Sequence, residues 1–263
     1  MIAVRCLFDC LFDCLFDCRH LSHKLVTAPA SLPVDSAFAD DVARRVLDAR
    51  ERIDAARVRG GHGQTVTLVA VTKTHDVDAV LAACAAGVHD VGENRVQEAE
   101  AKRGQTTVPV RWHLIGHLQR NKASSAVTFD LVHSLDSDRL ATALNTAAEQ
   151  AGRVCDVLVQ VNVSGEESKF GMPANEVASF ADRLQSLHAL RVCGVMTMAP
   201  FDAAEGTLRR VFADARECGR VVREAGHVGT VLSMGMSGDF ELAVEEGATH
   251  VRLGTMLFGA RDT

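Results

Sequence analysis

From about residue 36 onward the chain alternates between short apolar runs and segments whose apolar residues recur every three or four positions. Val42, Val46, Ala49 and Ile53 keep the second spacing and predict a leading helix. The apolar runs predict strands at Val66–Thr72, Val88–Gly92, Val110–Ile115, Leu131–Leu135, Val154–Val163, Leu190–Met196, Thr230–Ser233 and His250–Gly254. Helical stripes lie between them. Leu140, Ala143, Leu144 and Ala147 form one; Val177, Phe180, Leu184 and Leu187 another; Leu208, Val211, Phe212, Ala215, Val222 and Ala225 a third. Strands alternating with amphipathic helices argue for parallel βαβ units. Nearly continuous apolar runs argue that both strand faces are covered. The expected fold is therefore α/β, a (β/α)8 TIM barrel with a leading N-terminal helix. An open doubly wound sheet would more often place a glycine-rich turn after its first strand, and here that strand runs into Lys73-Thr74-His75.

Residues 1–35 stand outside this pattern. The stretch CLFDCLFDCLFDC at 6–18 repeats a four-residue unit. On a helix, the i, i+4 spacing would put Cys6, Cys10, Cys14 and Cys18 on one face, where zinc or copper(I) could bind. Read as composition it is a low-complexity tail, and that reading is adopted. A signal peptide is not expected, because Asp9, Asp13 and Asp17 interrupt its would-be apolar core and Arg5 is a lone cationic flank. Pro29 and Pro33 mark a linker. The expected organisation is a disordered tail and linker over 1–35 and one barrel over 36–263.

Composition narrows the function classes. Lys plus Arg number 28 and Asp plus Glu 34, a net charge of −6 in 263 residues, which lacks the basic surplus of a protein gripping nucleic acid. No apolar stretch approaches the ~20 residues of a membrane span. Cys84, Cys155, Cys193 and Cys218 are scattered through apolar segments, as small buried hydrophobes are, and imply a reducing, cytoplasmic setting. No Cys/His spacing in the barrel suggests zinc.

In such a barrel the chemistry gathers at the carboxyl ends of the strands. Those positions hold Lys73, Glu93 and Asn94, Gly116 and His117, Asp136, Asn162, Met196 and Thr197, Ser233, and Gly254 with Thr255. Of the lysines at 24, 73, 102, 122 and 169, Lys73 alone follows directly on a buried-type strand. Partly desolvated at the barrel mouth, its amine would have a lowered pKa and be ready to form a Schiff base. The same position also suits a lysine that snorkels to water. Barrels frequently bind phosphate with the loops after strands seven and eight. Here Ser237 would cap the following helix, Gly254 would admit close backbone approach and Thr255 would add a hydroxyl. A plain cap and a tight turn explain either loop alone. Both together, opposite a strand-one lysine, suggest a phosphate-bearing aldehyde, of which pyridoxal 5′-phosphate (PLP) is the obvious one.

At these residues the sequence resembles the pyridoxal phosphate homeostasis proteins, which share the barrel of the alanine racemase N-terminal domain. The matching stretches are LVAVTKTHDVDAV from 68, VGENRVQEAEAK from 91, RWHLIGHLQRNK from 111, HSLDS from 133, VLVQVNVSGEESKFGM from 157, GVMTMAP from 194 and LSMGMSGDFELAVEEGATHVRLGTMLFGAR from 232. The resemblance covers roughly 36–262; the N-terminal repeat has no counterpart in it. It implies that Lys73 in VTKTH carries PLP as an internal aldimine and that Arg252 in RLGT faces the pyridine nitrogen. It further implies that Gly254, Thr255, Ser237 and Ser233 hold the phosphate and that Asn94 in GEN lies close to the cofactor.

An arginine facing the pyridine nitrogen opposes its protonation and weakens the electron sink that racemisation needs. Racemases of this fold, by the same resemblance, work with such an arginine by adding a tyrosine as base. This chain has no tyrosine. It also stops at 263, soon after the last strand, so no second domain is expected to close over the mouth. The expected function is a non-catalytic, cytoplasmic, monomeric PLP-binding protein that buffers the cofactor or delivers it to apo PLP-dependent enzymes. One alternative is a PLP-dependent amino-acid racemase of low activity, with His113 or His117 as base. Another is a cofactor-free Schiff-base aldolase acting on a phosphorylated sugar. Lys122 is read as solvated, with a transfer amine as the alternative. Lys169 is either surface charge or a guard of the site.

Overall fold

The leading helix is α1 (Ser36–Gly60), which opens where the Asp35 carboxylate accepts the Ala37 N–H at 3.0 Å. It buries Val42, Val46, Ala49, Ile53 and Ala56, the apolar stripe extended by one turn. The computed structural model describes residues 35–165 and 170–259. The cysteine repeat, the linker ahead of residue 35 and Lys169 lie outside the described residues.

Among the described residues, the strands are β1 (Thr67–Val71), β2 (Asp90–Glu93), β3 (Arg111–Leu114), β4 (Leu131–Leu135), β5 (Cys155–Asn162), β6 (Met172–Pro173), β7 (Leu190–Met196), β8 (Val231–Ser233) and β9 (His250–Leu253). All pair in parallel. The order β4-β3-β2-β1-β9-β8-β7-β5 closes on itself through the β4–β5 pairing, so eight strands make a barrel, and the two-residue β6 pairs alongside β5. Each predicted strand is present with its ends within two residues. The short β6 carries no apolar run and left no trace in the pattern.

The connecting helices are α2 (Val77–Ala85), α3 (Val96–Arg103), α4 (Ala123–Ala126), α5 (Asp138–Gln150), α6 (Val177–Leu184), α7 (Glu205–Glu224), α8 (Phe240–Glu245) and α9 (Thr255–Phe258). Their apolar faces and the outward strand residues form the main core, in which Phe129, Phe180, Phe212 and Phe240 are fully buried. Each such ring contributes about 2–3 kcal/mol of burial. Side chains alternate across a strand, so Leu68, Ala70 and Thr72 of the first stave share the helix side while Val69 and Val71 face inward. The inward face of the barrel is partly polar: Asp90, His113, His133, Ser233 and Arg252 are all buried.

Candidate functional site

Lys73 is half-buried in the turn between β1 and α2. Val69 lies in register with Arg252 of β9, and Lys73 shares the strand parity of Val69. The two strand ends touch: a Cβ on Gly254 would sit 3.4 Å from the Val71 carbonyl oxygen. One turn further along, the His75 ring packs 5.2 Å from the ring of Phe258 in α9. The Lys73 turn and the Gly254–Thr255 loop are therefore neighbours at the carboxyl end of the barrel.

Arg252 anchors the interior of that end. Its Nη1 donates to the Ser233 carbonyl at 2.8 Å and to the Ser233 hydroxyl at 2.7 Å, and its Nη2 donates to the Thr197 carbonyl at 2.9 Å. These acceptors are neutral. Burial pushes the guanidinium down to about 10, with the Asp239 carboxylate opposing that shift. Arg252 thus stays a cation at neutral pH, held by carbonyl and hydroxyl oxygens.

A hydrogen-bonded chain runs from Arg252 toward the opposite end of the barrel. His133 Nδ1 lies 2.9 Å from Ser233 Oγ, His133 Nε2 lies 2.9 Å from His113 Nδ1, and His113 Nε2 lies 2.8 Å from Asp90 Oδ1. Arg111 closes the far end on Asp90 Oδ2 at 2.7 Å. His113 is thus satisfied by two partners inside the wall.

The other expected phosphate ligands lie on the loops after β8 and β9. Ser237 is not the cap of the following helix. That helix, α8, begins at Phe240 with Asp239 at the cap position, and Asp239 Oδ1 accepts the Met236 N–H at 2.6 Å. Ser237 instead accepts the Met256 N–H at 3.3 Å, joining the two loops. Gly235, at φ +90°, lets the loop press onto α8, since a Cβ there would meet Ala243 Cβ at 2.6 Å. Thr255 is exposed, Gly254 and Asn94 are half-buried, and Ser233 is fully buried with its hydroxyl bonded to Arg252 and His133.

Two clefts open beside this region. One of about 710 Å³ is lined by His117, Gln119, Arg120, Asp136, Ser137 and Arg139 among others. A smaller one of about 260 Å³ joins Asn94 and Arg95 to His117 and Lys122. His117 stacks on Phe170 with centroids 4.0 Å apart and lies 3.5 Å from Asp136. Neither cleft is lined by Lys73 or Arg252.

Sequence reasoning passed over one group. On the outer side of β1 and β2, Lys102 of α3 is 4% exposed and donates to Glu93, which is fully buried, at 2.6 Å and to the Thr72 carbonyl at 2.7 Å. Burial raises the Glu93 pKa. The signal available in the sequence was Glu98 four residues ahead of Lys102, which reads as an ordinary exposed helix pair.

Comparison with known proteins follows the same outline. The sequence pattern of the alanine racemase N-terminal domain matches residues 50–262. The pyridoxal phosphate homeostasis protein of Pseudomonas aeruginosa is 39% identical over 229 residues, covering 86% of this chain and 97% of that protein. The protein of that name in Escherichia coli K12 is 38% identical over 235 residues, covering 85% and 98%. The chain belongs to the pyridoxal phosphate homeostasis protein family. Among solved structures, PipY of Synechococcus elongatus PCC 7942 with PLP bound superposes with a TM-score of 0.74 at 37% identity, covering 83% of this chain and 100% of PipY. An alanine racemase of Clostridium difficile 630 superposes with a TM-score of 0.69 at 15% identity, covering 85% of this chain and 57% of the racemase; that likeness establishes the shared barrel fold. Among the described residues, no helix is long and apolar enough to cross a membrane.

Proposed function

We propose that this chain binds PLP at the carboxyl end of its barrel and stores or delivers it without carrying out turnover chemistry. The observation that carries the reading is that Lys73 sits in the turn directly after β1, and β1 pairs in register with β9, the strand that carries Arg252. The family's name and the PLP in PipY point to the same cofactor.

The residues present fit that group by the chemistry of their donors. A primary amine at Lys73, a buried guanidinium bonded to neutral oxygens at Arg252, and hydroxyls at Ser237 and Thr255 match an aldehyde, a ring nitrogen and a phosphate. Bound PLP supplies an aldehyde that condenses with an amine and an aromatic nitrogen whose protonation sets its strength as an electron sink. Lys73 provides the amine. Arg252 presents N–H groups, not a carboxylate, and so does not favour a protonated ring nitrogen. Gly254, Thr255 and Ser237 hold the phosphate, and Ser237 ties their loops together through Met256. Ser233 acts one step back, as the hydroxyl that fixes Arg252. Asn94 lines the neighbouring cleft of the mouth.

A racemase with an arginine at this position needs a strong second base. The chain has no tyrosine, and His113 is engaged by Asp90 and His133. Storage and delivery in the cytoplasm, as a monomer, to apo PLP-dependent enzymes is the role these residues suit. The test is to incubate the PLP-loaded protein with D- and L-alanine and, separately, with an apo-transaminase. We expect reactivation of the transaminase and no sustained racemisation. Racemisation on the order of 1 per second or faster marks an enzyme and overturns the carrier reading.

A further inference from the structure

We propose that Glu98, Lys102 and Glu93 are positioning residues for cofactor capture: they form a clamp outside the barrel wall that sets the backbone on both sides of Lys73. The inference rests on the reading of Lys73 as the amine that takes PLP.

The geometry is specific to the two neighbours of Lys73. Thr72 points outward, and its hydroxyl donates to Glu93 Oε1 at 2.6 Å. Its carbonyl accepts from Lys102 Nζ at 2.7 Å. Lys102 Nζ also donates to Glu93 at 2.6 Å and to Glu98 at 3.2 Å, which uses all three of its N–H bonds. The same Glu98 oxygen then accepts the backbone N–H of Thr74. One buried ammonium therefore governs the residue before Lys73 directly and the residue after it through Glu98.

Thr74 needs that restraint. Its φ is +66°, a left-handed conformation that a β-branched residue rarely adopts. Such strain persists where the surroundings over-determine it, and it gathers at functional turns. Here the Glu98 bond to the Thr74 N–H supplies the restraint, and the Thr74 hydroxyl donates back to the Lys73 carbonyl at 2.6 Å. The clamp is also built from costly parts. Glu93 and Lys102 are buried as ions, and Glu93 Oε2 has no hydrogen-bond partner, so an apolar contact would join α3 to the barrel with less desolvation. What the ionic version adds is directional bonds on the backbone at Thr72 and Thr74. Ordering the turn before the cofactor arrives lowers the cost of capture.

A purely structural role, attaching α3 to the wall, makes a different prediction, and pyridoxine 5′-phosphate separates the two. It shares the ring and phosphate of PLP but has no aldehyde, so it does not use the Lys73 amine. The full-length protein and its Glu98→Ala, Glu98→Gln and Lys73→Ala variants are titrated with each compound, PLP by absorbance and pyridoxine 5′-phosphate by calorimetry. Glu98 is only half-buried, so its truncation leaves the core packing in place. We expect Glu98→Ala to weaken PLP capture on the order of tenfold, the scale of one lost bond to a charged group, with binding of pyridoxine 5′-phosphate unchanged. Glu98→Gln, which keeps an acceptor for the Thr74 N–H, should recover most of the loss. Unchanged PLP capture in Glu98→Ala, or an equal loss of both ligands, overturns the clamp. Failure of the parent protein to capture PLP, or capture that survives Lys73→Ala, instead overturns the functional reading and removes the clamp's role with it.

Discussion

The Arg252 guanidinium donates to the Ser233 hydroxyl at 2.7 Å, and this bond orients the hydrogen-bonded chain that follows it through the barrel interior. An arginine can only donate, and an ionised Asp90 can only accept. Ser233 accepts from Arg252 and keeps its own proton to give, which we assign to His133 Nδ1. His133 then donates from Nε2 to His113 Nδ1, and His113 donates from Nε2 to Asp90. His133 is neutral in this arrangement, and every buried donor on the line has an acceptor. Burial lowers the His133 pKa well below its ordinary value, with His113 adding to the effect, which agrees with a neutral ring.

That chain has a spectroscopic signature. Nitrogen-15 NMR of the histidine side chains should show His133 as the neutral Nε2–H form at pH 7. Ser233→Ala leaves His133 Nδ1 buried without its donor, and should destabilise the fold by about 1–3 kcal/mol in urea unfolding. A charged His133 at pH 7, or a Ser233→Ala variant as stable as the parent, contradicts the directional chain.

The interior histidines also set the response to acid. In the unfolded chain His133 and His250 titrate near 6.5. In the folded protein both are depressed, His250 to about 4, first by burial and then by His113; Arg111 and Arg252 depress it further and Asp90 opposes. Below pH 6.5 the unfolded state takes up protons that the folded state refuses, so stability falls as pH falls between 6.5 and the folded values. For His250 alone the loss between pH 7.5 and pH 5 is about 2 kcal/mol. Urea midpoints at the two pH values check this, and His250→Gln should flatten the dependence. Equal midpoints in the parent protein contradict the buried neutral histidines.

The outer clamp predicts a coupled loss. Lys102→Met strands the Glu93 carboxylate without its cation and should cost about 3–5 kcal/mol of stability. The double variant Lys102→Met with Glu93→Gln should be less destabilised than the sum of its singles, because the second change removes the charge left unpaired by the first. Additive losses in denaturant unfolding, or a Lys102→Met variant of parental stability, contradict the ion pair.

What the chain disclosed in advance follows its physics. Runs such as VTLVAVT are apolar on both faces because both are covered, which is why each barrel strand was legible to within two residues. Lys73 stood out because it interrupts such a run at its carboxyl end. The fixing of Ser233 between Arg252 and His133 was not legible, because it joins residues 100 positions apart that meet only inside the closed barrel. Lys102 was counted among the lysines but given no role, since burial by a neighbouring strand leaves no local mark. Ser237 was taken for a helix cap on residue type alone; Asp239, two residues on, holds that position.

On the proposed function, one amine just past the end of the first strand takes the cofactor. Native protein incubated with PLP, reduced with borohydride and digested for mass spectrometry reads this directly. The account predicts a single reduced pyridoxyl adduct on the peptide containing Lys73, lost in Lys73→Ala. An adduct on Lys102, Lys122 or Lys169 in place of Lys73, or no adduct at all, contradicts it.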